Sequence, residues 1–363
     1  MKILYIGDDN GTSGQRLKVI KENSEVTESI DPYKLSIFSK AITYKFLFSF
    51  PYGLFIPHLI SSRIRLIIKS NYDIIWVNAG DVITPSLLKF FKKKSKFILC
   101  YNNDQPLANR DGHRWDIYKN SLKYYDLVFL RSNADPLDAI KLNVKFFCSL
   151  FMWFDEDIHL VNDYSKKTKD IDIVFIGTWF PERGPFISKM IRSGINIAIY
   201  GARWNKADEW EQIKKYWKGN SLNGKDYTNV LSRSKISLGF VSEENQDLHT
   251  RRSLEIPAAG SLLCAQRTFE HSMMFKENEE AVFFDDVEEC ISICKSLLNN
   301  ENKIKEITNK GHERVKRLGL SNQHAIPLIL KTISKRIGRV LWSLFLRLLH
   351  LIKWVVYKDL IWG

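Results

Sequence analysis

The sequence predicts an α/β chain of two domains, each built on a parallel, doubly wound sheet, with a helical tail. Its 363 residues exceed the usual size of one domain, and 45% hydrophobic with 26% charged residues is ordinary globular composition. Short apolar runs alternate with segments of helical length, which is typical of parallel sheets. The alternation pauses at the polar stretch 163–172 and then resumes. We therefore expect domains at 1–165 and 166–320, followed by a tail at 321–363.

Six apolar runs in the first half are predicted strands. They are residues 2–7, 25–30, 74–78, 96–102, 127–131 and 145–150. Segments 85–93 and 115–123 have helical length and lie between them. The strand-helix-strand order indicates parallel pairing through crossover helices.

The second half repeats this pattern. Its predicted strands are residues 171–177, 195–201, 236–241, 261–265 and 281–284. A helix follows the first of them, and two more are expected at 287–298 and 303–316. We see neither a fixed-period repeat nor a low-complexity tract.

The tail combines basic charge with an apolar helical stripe. The chain carries a formal net charge of +13, and seven of its Lys and Arg residues against one acid follow Ser321. Residues 328–357 repeat apolar side chains at helical spacing, but charges interrupt them before the ~20 apolar residues that a spanning helix needs. With three Trp residues nearby, this pattern predicts an amphipathic helix, residues 331–363, on an anionic membrane surface. The alternative is a helix packed on the second domain. Nucleic acid is not an expected partner, because nucleic-acid patches seldom interleave with so much aliphatic surface.

The cysteines and the N-terminus indicate the compartment. Five cysteines, an odd number without a CxxC pair, predict neither a disulfide framework nor a zinc site. The first residues enter a short apolar run ending at Gly7, without the features of a secretory signal. We expect a cytoplasmic protein, peripheral on the inner face of the cell membrane.

The stretch 247–260 (DLHTRRSLEIPAAG) is the most informative for chemistry. A helix beginning near Thr250 would place Arg251 and Arg252 at its positive end, where a diphosphate is favoured. Glu255 could accept hydrogen bonds from two adjacent ribose hydroxyls. The small residues Ala258 and Gly260 would allow close approach of a ligand or of neighbouring backbone. The alternative is a surface helix with solvated charges.

Five segments in order resemble the C-terminal domain of GT-B glycosyltransferases, specifically the spore-maturation-type family of bacterial glycosyltransferase-like proteins. They are IDIVFIGTWFPER (171–183), INIAIYGARW (195–204), KDYTNVLSRSKISLGF (225–240), DLHTRRSLEIPAAGSLL (247–263) and the run 268–286. The resemblance implies two Rossmann-like domains facing across a cleft, a nucleotide-sugar donor and transfer to a glycan or lipid-linked acceptor by a hexosyltransferase-type enzyme.

The resemblance also implies roles for residues of this chain. Glu255 would hold the donor ribose, and the loop at Gly177 and Thr178 would face the diphosphate. Gly201 and Tyr227, in two of the matching motifs, are further donor-side candidates. Asp247 stands where related retaining enzymes carry the first glutamate of an E-x7-E pair, which favours retention of configuration.

Catalysis is expected to rely on fixed cations. Negative charge builds on the departing diphosphate, and Arg183 and Arg252 could stabilise it without a metal or another cofactor. Asp155-Glu-Asp157 resembles a metal-binding DxD motif, but it precedes the polar stretch 163–172 and is interpreted as a solvated acidic turn.

The first half resembles the acceptor domain of these enzymes loosely. Gly7, Gly11 and Gly14 do not form GxGxxG, so no dinucleotide site is expected. The resemblance implies that the loop after the first strand lines the cleft between domains, which makes Thr12, Ser13 and Arg16 candidates for contacting the acceptor or the diphosphate. Asn102 and Asp104, after a later predicted strand, would open into the same cleft, because ligands gather at the carboxyl ends of parallel strands. Asp104 and His113 are candidates for contacting the acceptor hydroxyl or acting as base.

Two questions stay open at this level. The aromatic segment 45–60 is either core or an apolar lip that admits a lipid-linked acceptor. The chain could also be a catalytically silent nucleotide-sugar-binding protein of a polysaccharide assembly complex, or a sugar-nucleotide epimerase.

Overall fold

The structure, a computed structural model, describes residues 1–107, 111–131, 136–242 and 246–338. These residues form two compact units. Unit 1 comprises residues 1–152 and 322–338, and unit 2 comprises residues 153–321.

Unit 1 is built on a six-stranded parallel sheet. Its strands are β1 (Lys2–Ile6), β2 (Val26–Ile30), β3 (Tyr72–Asn78), β4 (Ser95–Tyr101), β5 (Leu127–Arg131) and β6 (Phe147–Leu150). Their order is β2-β1-β3-β4-β5-β6. The side on which successive strands are added to the sheet therefore changes between β1 and β3. Doubly wound folds bind their ligands at this switch point.

Six helices connect these strands. They are α1 (Gly11–Glu22), α2 (Lys40–Ser49), α3 (Ile56–Ile67), α4 (Pro85–Phe91), α5 (Asp116–Ser121) and α6 (Pro136–Lys141). The inward faces of β1, β3 and β4 are fully apolar and join α3 and α4 in one core. Ser39 and Thr84 cap α2 and α4 through their hydroxyl groups, so two helix starts follow from local side-chain chemistry.

Unit 2 repeats the architecture. Its strands are β7 (Ile171–Ile176), β8 (Ile197–Tyr200), β9 (Trp217–Gly219), β10 (Ser234–Gly239), β11 (Leu262–Gln266) and β12 (Val282–Phe284). The strands lie in the order β12-β11-β10-β7-β8-β9, and all neighbouring pairs are parallel. The side on which successive strands are added changes between β7 and β10. Loops following β7 and β10 therefore lie at the switch point of this sheet.

Eight helices accompany this sheet. They are α7 (Glu156–His159), α8 (Arg183–Arg192), α9 (Trp210–Ile213), α10 (Gly224–Ser232), α11 (Arg252–Ala258), α12 (Phe269–Met274), α13 (Val287–Leu298) and α14 (Glu301–Leu318). Asp286 and Asn300 cap α13 and α14, and Gly319 ends α14 in the left-handed conformation.

The predicted α/β class with two parallel, doubly wound sheets is confirmed. Residues 153–170 belong to unit 2, because Val161 N–H donates to Ala258 O and the Tyr164 hydroxyl donates to Asn309. The division therefore falls after Met152 rather than within the polar stretch 163–172.

The beginning of the predicted tail is helical. Helix α15 (Asn322–Gly338) packs on α1 and so belongs to unit 1. The remainder of the tail, residues 339–363, lies outside the described residues. Within the described part of the chain, no helix combines the length and apolar character needed to cross a bilayer.

Candidate active site

Arg183 links the two loops at the switch point of unit 2. Its guanidinium donates to Thr178 O, after β7, at 2.8 Å, and to Val241 O, after β10, at 3.4 Å. The side chain is buried, and its charge lies 4.6 Å from the ring centroid of Phe180. The first residue of α8 is thereby fixed where ligands bind in this fold.

Arg183 and Arg252 form a like-charged pair. Burial, together with repulsion by Arg252, lowers the pKa of Arg183 to about 10, although Glu182 and Asp247 oppose this. The Nε atoms of both arginines are buried and have no hydrogen-bond partner among the described residues. Two neighbouring cations whose Nε atoms make no hydrogen bond among the described residues have the chemistry that suits a multivalent anion.

Glu255 is the buried carboxylate of this site. The Tyr227 hydroxyl donates to its Oε2 at 3.0 Å, while Arg251 and His159 nitrogens lie 3.8 and 3.7 Å from Oε1. Burial raises the pKa of Glu255, but Arg251, His159, Arg252 and Tyr227 together bring it below its usual value. Glu255 is therefore ionised at neutral pH, and its Oε1 can still accept hydrogen bonds.

His159 is a site residue that sequence reasoning missed. It ends α7 and is buried, with Nδ1 bonded to Asp155 O at 2.9 Å. This contact turns Nε2 toward Glu255. Its position before the predicted domain boundary gave no signal, since nothing local relates it to a carboxylate almost one hundred residues later.

A buried hydrogen-bonded network follows Asp247 in the chain. His249 Nδ1 pairs with Glu270 at 2.5 Å, and Ser253 Oγ bonds to His271 Nε2 at 2.7 Å. Burial lowers the pKa of His271 to about 4. His249 and Ser253 flank Arg251 and Arg252 in sequence. Their hydrogen bonds therefore hold the segment that carries these two arginines. The run from 268 to 271 was a signal for it, although His249 and Glu270 were not predicted as site residues.

Gly177 and Gly201 make a close backbone contact. A Cβ at Gly201, whose φ is +147°, would stand 1.9 Å from Gly177 O. That carbonyl also accepts from Trp204 Nε1 at 2.9 Å, and Gly177 N–H donates to Tyr200 O. The backbone groups of Gly177 are thus used inside the fold, and glycine at 201 is explained by packing.

The predicted residues of the 247–260 stretch separate along α11. Asp247, which is buried, and Thr250, whose N–H donates to Ser253 Oγ, precede the helix together with Arg251. Ala258 is the last residue of the helix and Gly260 follows it, at the amino edge of the sheet, where a Cβ on Gly260 would clash with Tyr164. The observed helix is short, beginning at Arg252 rather than near Thr250.

The amino edge of the same sheet holds a cavity of about 470 Å³. Lys169, one of its lining residues, donates to Ser234 O and Gly260 O, and burial lowers its pKa to about 8. The cavity is on the opposite edge from Arg183 and Glu255, so it is not part of this site.

Two acceptor-side candidates in unit 1 are buried within the fold. The Ser13 hydroxyl shares a 2.8 Å hydrogen bond with Tyr5, and Arg16 donates to Asn78 Oδ1 at 3.0 Å while stacking over Tyr101. Thr12, one residue before Ser13 in α1, is half-buried. Ser13 and Arg16 therefore hold α1 against the carboxyl ends of the strands.

The other acceptor-side candidates adjoin an ion-pair network that was not predicted. Arg114 contacts Asp81 and Asp104, each at 3.2 Å, and the Tyr33 hydroxyl donates to Asp81 at 2.6 Å. Asn102 Oδ1 accepts a hydrogen bond from Asp104 N–H at 2.7 Å. Asn102 and Asp104 follow β4, as predicted, and Asp81 follows β3.

His113 lies beside this network in sequence but bonds elsewhere. Its Nδ1 is 2.9 Å from Asp116 Oδ2, and about half of its side chain is exposed. The structure thus gives Asp104 and His113 separate partners.

Two groups of potential metal ligands occur among the described residues. Asp8, Asp9 and Asp31 form one, with Asp8 and Asp9 paired to Lys40 and Lys34. The other comprises the thiols of Cys264, Cys290 and Cys294, which converge within 4.8 Å in the core. The DxD-like segment belongs to neither. Its interpretation as a solvated turn was wrong for Asp155, which is buried before α7.

Comparisons with known proteins agree with this architecture. Residues 183–330 match the family described as glycosyl transferase-like. Among solved structures, sucrose-phosphate synthase from Thermosynechococcus elongatus is similar, with TM-score 0.62 and 12% identity over 93% of this chain and 99% of that one. Anabaena HepE is similar with TM-score 0.62 and 12% identity, over 92% and 100% of the two chains. No curated protein matches by sequence.

TarM shares the fold over a smaller part. Its TM-score is 0.56 at 14% identity, covering 76% of this chain and 58% of that one. Together these matches show a glycosyl transferase-like domain in the C-terminal half and the two-domain α/β arrangement of GT-B glycosyltransferases.

Proposed function

We propose that the chain transfers a sugar from a nucleoside-diphosphate sugar to a glycan or lipid-linked acceptor, since residues 183–330 match the glycosyl transferase-like family. The observation that carries this proposal is the Arg183–Arg252 pair. The Nε atoms of these partly or fully buried cations make no hydrogen bond within the described part of the chain, and burial and repulsion from Arg252 lower the pKa of Arg183. Two such cations are stabilised when a diphosphate lies between or beside them.

The ionised Glu255 supports a nucleoside as the rest of the ligand. Its Oε2 is held by Tyr227, which leaves Oε1 as acceptor for a sugar diol. His159 and Arg251 favour the ionised form of this carboxylate electrostatically, although neither lies within hydrogen-bonding distance of it. A ribose at Glu255 and a diphosphate at the arginines use both parts of the site.

In the transfer step, the bond between the anomeric carbon and the diphosphate oxygen breaks, the acceptor hydroxyl oxygen bonds to that carbon, and its proton passes to the departing diphosphate, on which negative charge builds. Arg183 is already fixed by two carbonyl oxygens, so it stabilises that charge without reorganising. Buried Asp247 balances the pair electrostatically. We propose that the step needs no metal and that it retains configuration.

The choice of donor begins with uridine. HepE was crystallised with UDP and with UDP-glucose, so uridine nucleotides are the first ligands to test here. The acceptor side is proposed to lie in unit 1, at the Arg114–Asp104 network and His113.

We further propose cytoplasmic membrane association and a role in cell-envelope polysaccharide synthesis. Residues 339–363 supply basic and apolar side chains for this, whereas Ile333, in the preceding part of the predicted tail, is buried in the fold. Truncation before Arg339 should lower the membrane-bound fraction of the protein in cell lysates. Unchanged partitioning would contradict a role of the tail.

Thermal unfolding with a panel of UDP-, GDP-, ADP-, CMP- and TDP-sugars tests the site. A ligand at ~100 times its dissociation constant stabilises the folded state by about 2.7 kcal/mol. One donor should raise the midpoint of the wild type but not of Glu255→Ala, and should release nucleoside diphosphate when a glycan acceptor is added.

Glu211→Ala is the matched control, because this carboxylate on α9 is 78% exposed and its ion pair is with Lys214 on the surface. Binding without transfer to any acceptor would favour a silent nucleotide-sugar-binding protein. Conversion of the donor without acceptor would favour an epimerase. No shift with any donor would refute the proposed site.

A further inference from the structure

Exposed apolar side chains are concentrated in one segment of unit 1. Fifteen large hydrophobic residues are exposed in the described part of the chain, and ten of them lie between Ile37 and Ile67. Isolated exposed apolar residues need no explanation, but this density does. Segment 45–60 is thus only partly core.

Seven of these residues follow one another around the turn between α2 and α3. We name them the 48–66 surface: Phe48, Phe50, Tyr52, Leu54, Phe55, Leu59 and Leu66. At the turn, Tyr52, Gly53 and Leu54 have φ values of 54°, 60° and 53°. For Tyr and Leu this conformation is strained, and it presents both side chains outward.

Helix α3 extends the surface with a second apolar face. Its core face is Ile56, Ile60 and Ile64. At about 100° per residue, Phe55, Leu59 and Leu66 fall within about 40° of one another on the exposed side. Arg63 and Arg65 lie at about 80° on either side of this stripe. An apolar stripe between basic residues is the pattern of a helix in a membrane interface.

The charge of the segment selects the partner. Residues 32–72 contain six Lys and Arg residues and no Asp or Glu; Lys34 and Lys40 pair with Asp9 and Asp8 outside the segment, so the other four carry its surplus charge. A second copy of the chain on the same surface would bring like charges together, because a two-fold interface repeats the same patch. An anionic lipid bilayer complements both the apolar stripe and the charge.

The surface also adjoins the acceptor-side residues. Phe48 O accepts the His113 N–H at 3.2 Å, and Tyr52 N–H donates to Asp116 at 3.2 Å. Arg114, which binds Asp104, lies 5.7 Å from the Phe48 ring centroid. A bilayer at the 48–66 surface would therefore hold these residues beside its headgroups.

We propose that the 48–66 surface docks unit 1 on an anionic membrane by inserting its aromatic and leucine side chains, with Arg63 and Arg65 on the headgroups. This docking goes beyond the proposed transfer reaction, and it does not depend on the tail.

Co-sedimentation of the full chain with vesicles tests the docking. The protein should bind anionic vesicles of phosphatidylcholine and phosphatidylglycerol at least tenfold more tightly than vesicles of phosphatidylcholine alone. Phe50→Ser/Phe55→Ser/Leu59→Ser should weaken binding to anionic vesicles at least tenfold. Arg63→Ala/Arg65→Ala should weaken it about fivefold per arginine.

Leu137→Ser/Ile140→Ser is the control, since both residues are 60% exposed on α6 of the same unit. It should bind as the wild type does. Circular dichroism and the unfolding midpoint of each variant establish that it is folded, and donor-induced stabilisation of the triple variant should be unchanged.

Three results would overturn the proposal. A folded triple variant that binds anionic vesicles like the wild type would show that the 48–66 surface does not bind the membrane. Equal binding of the wild type to both vesicle types would show that anionic lipid is not required. A wild-type dimer that the triple variant converts to a monomer, with vesicle binding unchanged, assigns the surface to a second copy. Failure of transfer activity alone would not bear on docking.

Discussion

The Tyr227 hydroxyl donates to Glu255 Oε2 across 3.0 Å, joining α10 to α11. Both residues are buried, and His159 packs edge-on against the Tyr227 ring with centroids 5.9 Å apart. One oxygen of the carboxylate is thereby fixed by the protein. The other faces nitrogen atoms of His159 and Arg251, at 3.7 and 3.8 Å, which is too far for hydrogen bonds.

Replacing Glu255 by Gln should weaken donor binding about 10- to 100-fold. The substitution keeps the shape but removes a charged acceptor, which is worth about 1.5–3 kcal/mol in a buried hydrogen bond. Isothermal titration with the donor found by thermal unfolding measures this. Glu211→Gln should leave the affinity unchanged, and equal affinity of the Glu255 variant would exclude a diol at Oε1.

Replacing Arg252 by Ala should separate ligand binding from stability. Without ligand, removal of one cation relieves the repulsion on Arg183, so the free energy of unfolding should stay constant or rise. Inorganic pyrophosphate should raise the unfolding midpoint of the wild type but not that of the variant. Lys218→Ala, at an exposed residue of β9 outside the site, serves as the control for loss of one positive charge. A large loss of stability in Arg252→Ala would mean that the arginine is structural.

Stability should decrease in acid because of His271. Its pKa falls from about 6.5 to about 4 on folding because it is buried, so the folded state keeps it neutral while the unfolded chain takes up a proton. The stabilising contribution is present above pH 6.5 and is lost as the pH falls toward 4. Between pH 7 and 5 it amounts to about 2 kcal/mol.

Urea unfolding of His271→Gln at both pH values checks this. The variant should be less stable than the wild type at pH 7 but should lose about 2 kcal/mol less on acidification. His58→Gln, an exposed position on α3, should show the wild-type dependence. Parallel pH curves for the wild type and the His271 variant would contradict the assignment.

Gly201→Ala should be among the most damaging small substitutions in unit 2. Its Cβ would overlap Gly177 O at 1.9 Å, and the contact is backbone, so no side chain can move away. We expect more than about 3 kcal/mol of destabilisation. Gly194→Ala is the matched control, because φ is +91° there but nothing lies within 4 Å of the new Cβ. It should cost about 1 kcal/mol. Similar stabilities of the two variants would show that the strand loops can separate.

The strands were predictable because each is a short apolar run bounded by polar residues. Leu127–Arg131 and helix Val287–Leu298 occur with the predicted bounds. Strand β9 was missed, since three residues at a sheet edge carry no periodicity. The boundary between units was also not readable, because residues 153–170 are polar yet pack on α11 and α14.

The site was predictable where chemistry is local. Arg183, Arg252, Glu255 and Tyr227 were named from motifs, and the structure brings these side chains together. His159, Asp81 and Arg114 were missed, since their roles arise from partners 30 or more residues away. Ser13 and Gly260 show the converse: their residue types fit a ligand site, but their space is filled by Tyr5 and Tyr164.

All five cysteine thiols are buried in the folded chain. A maleimide reagent should therefore label the native protein slowly and the unfolded protein completely. The labelling rate of the native thiols then measures how often each unit opens. Cys100 and Cys148 report on unit 1, and the other three report on unit 2. Because these thiols are shielded, a single cysteine added at an exposed loop position such as Ser221 could carry a fluorophore with the native set left in place.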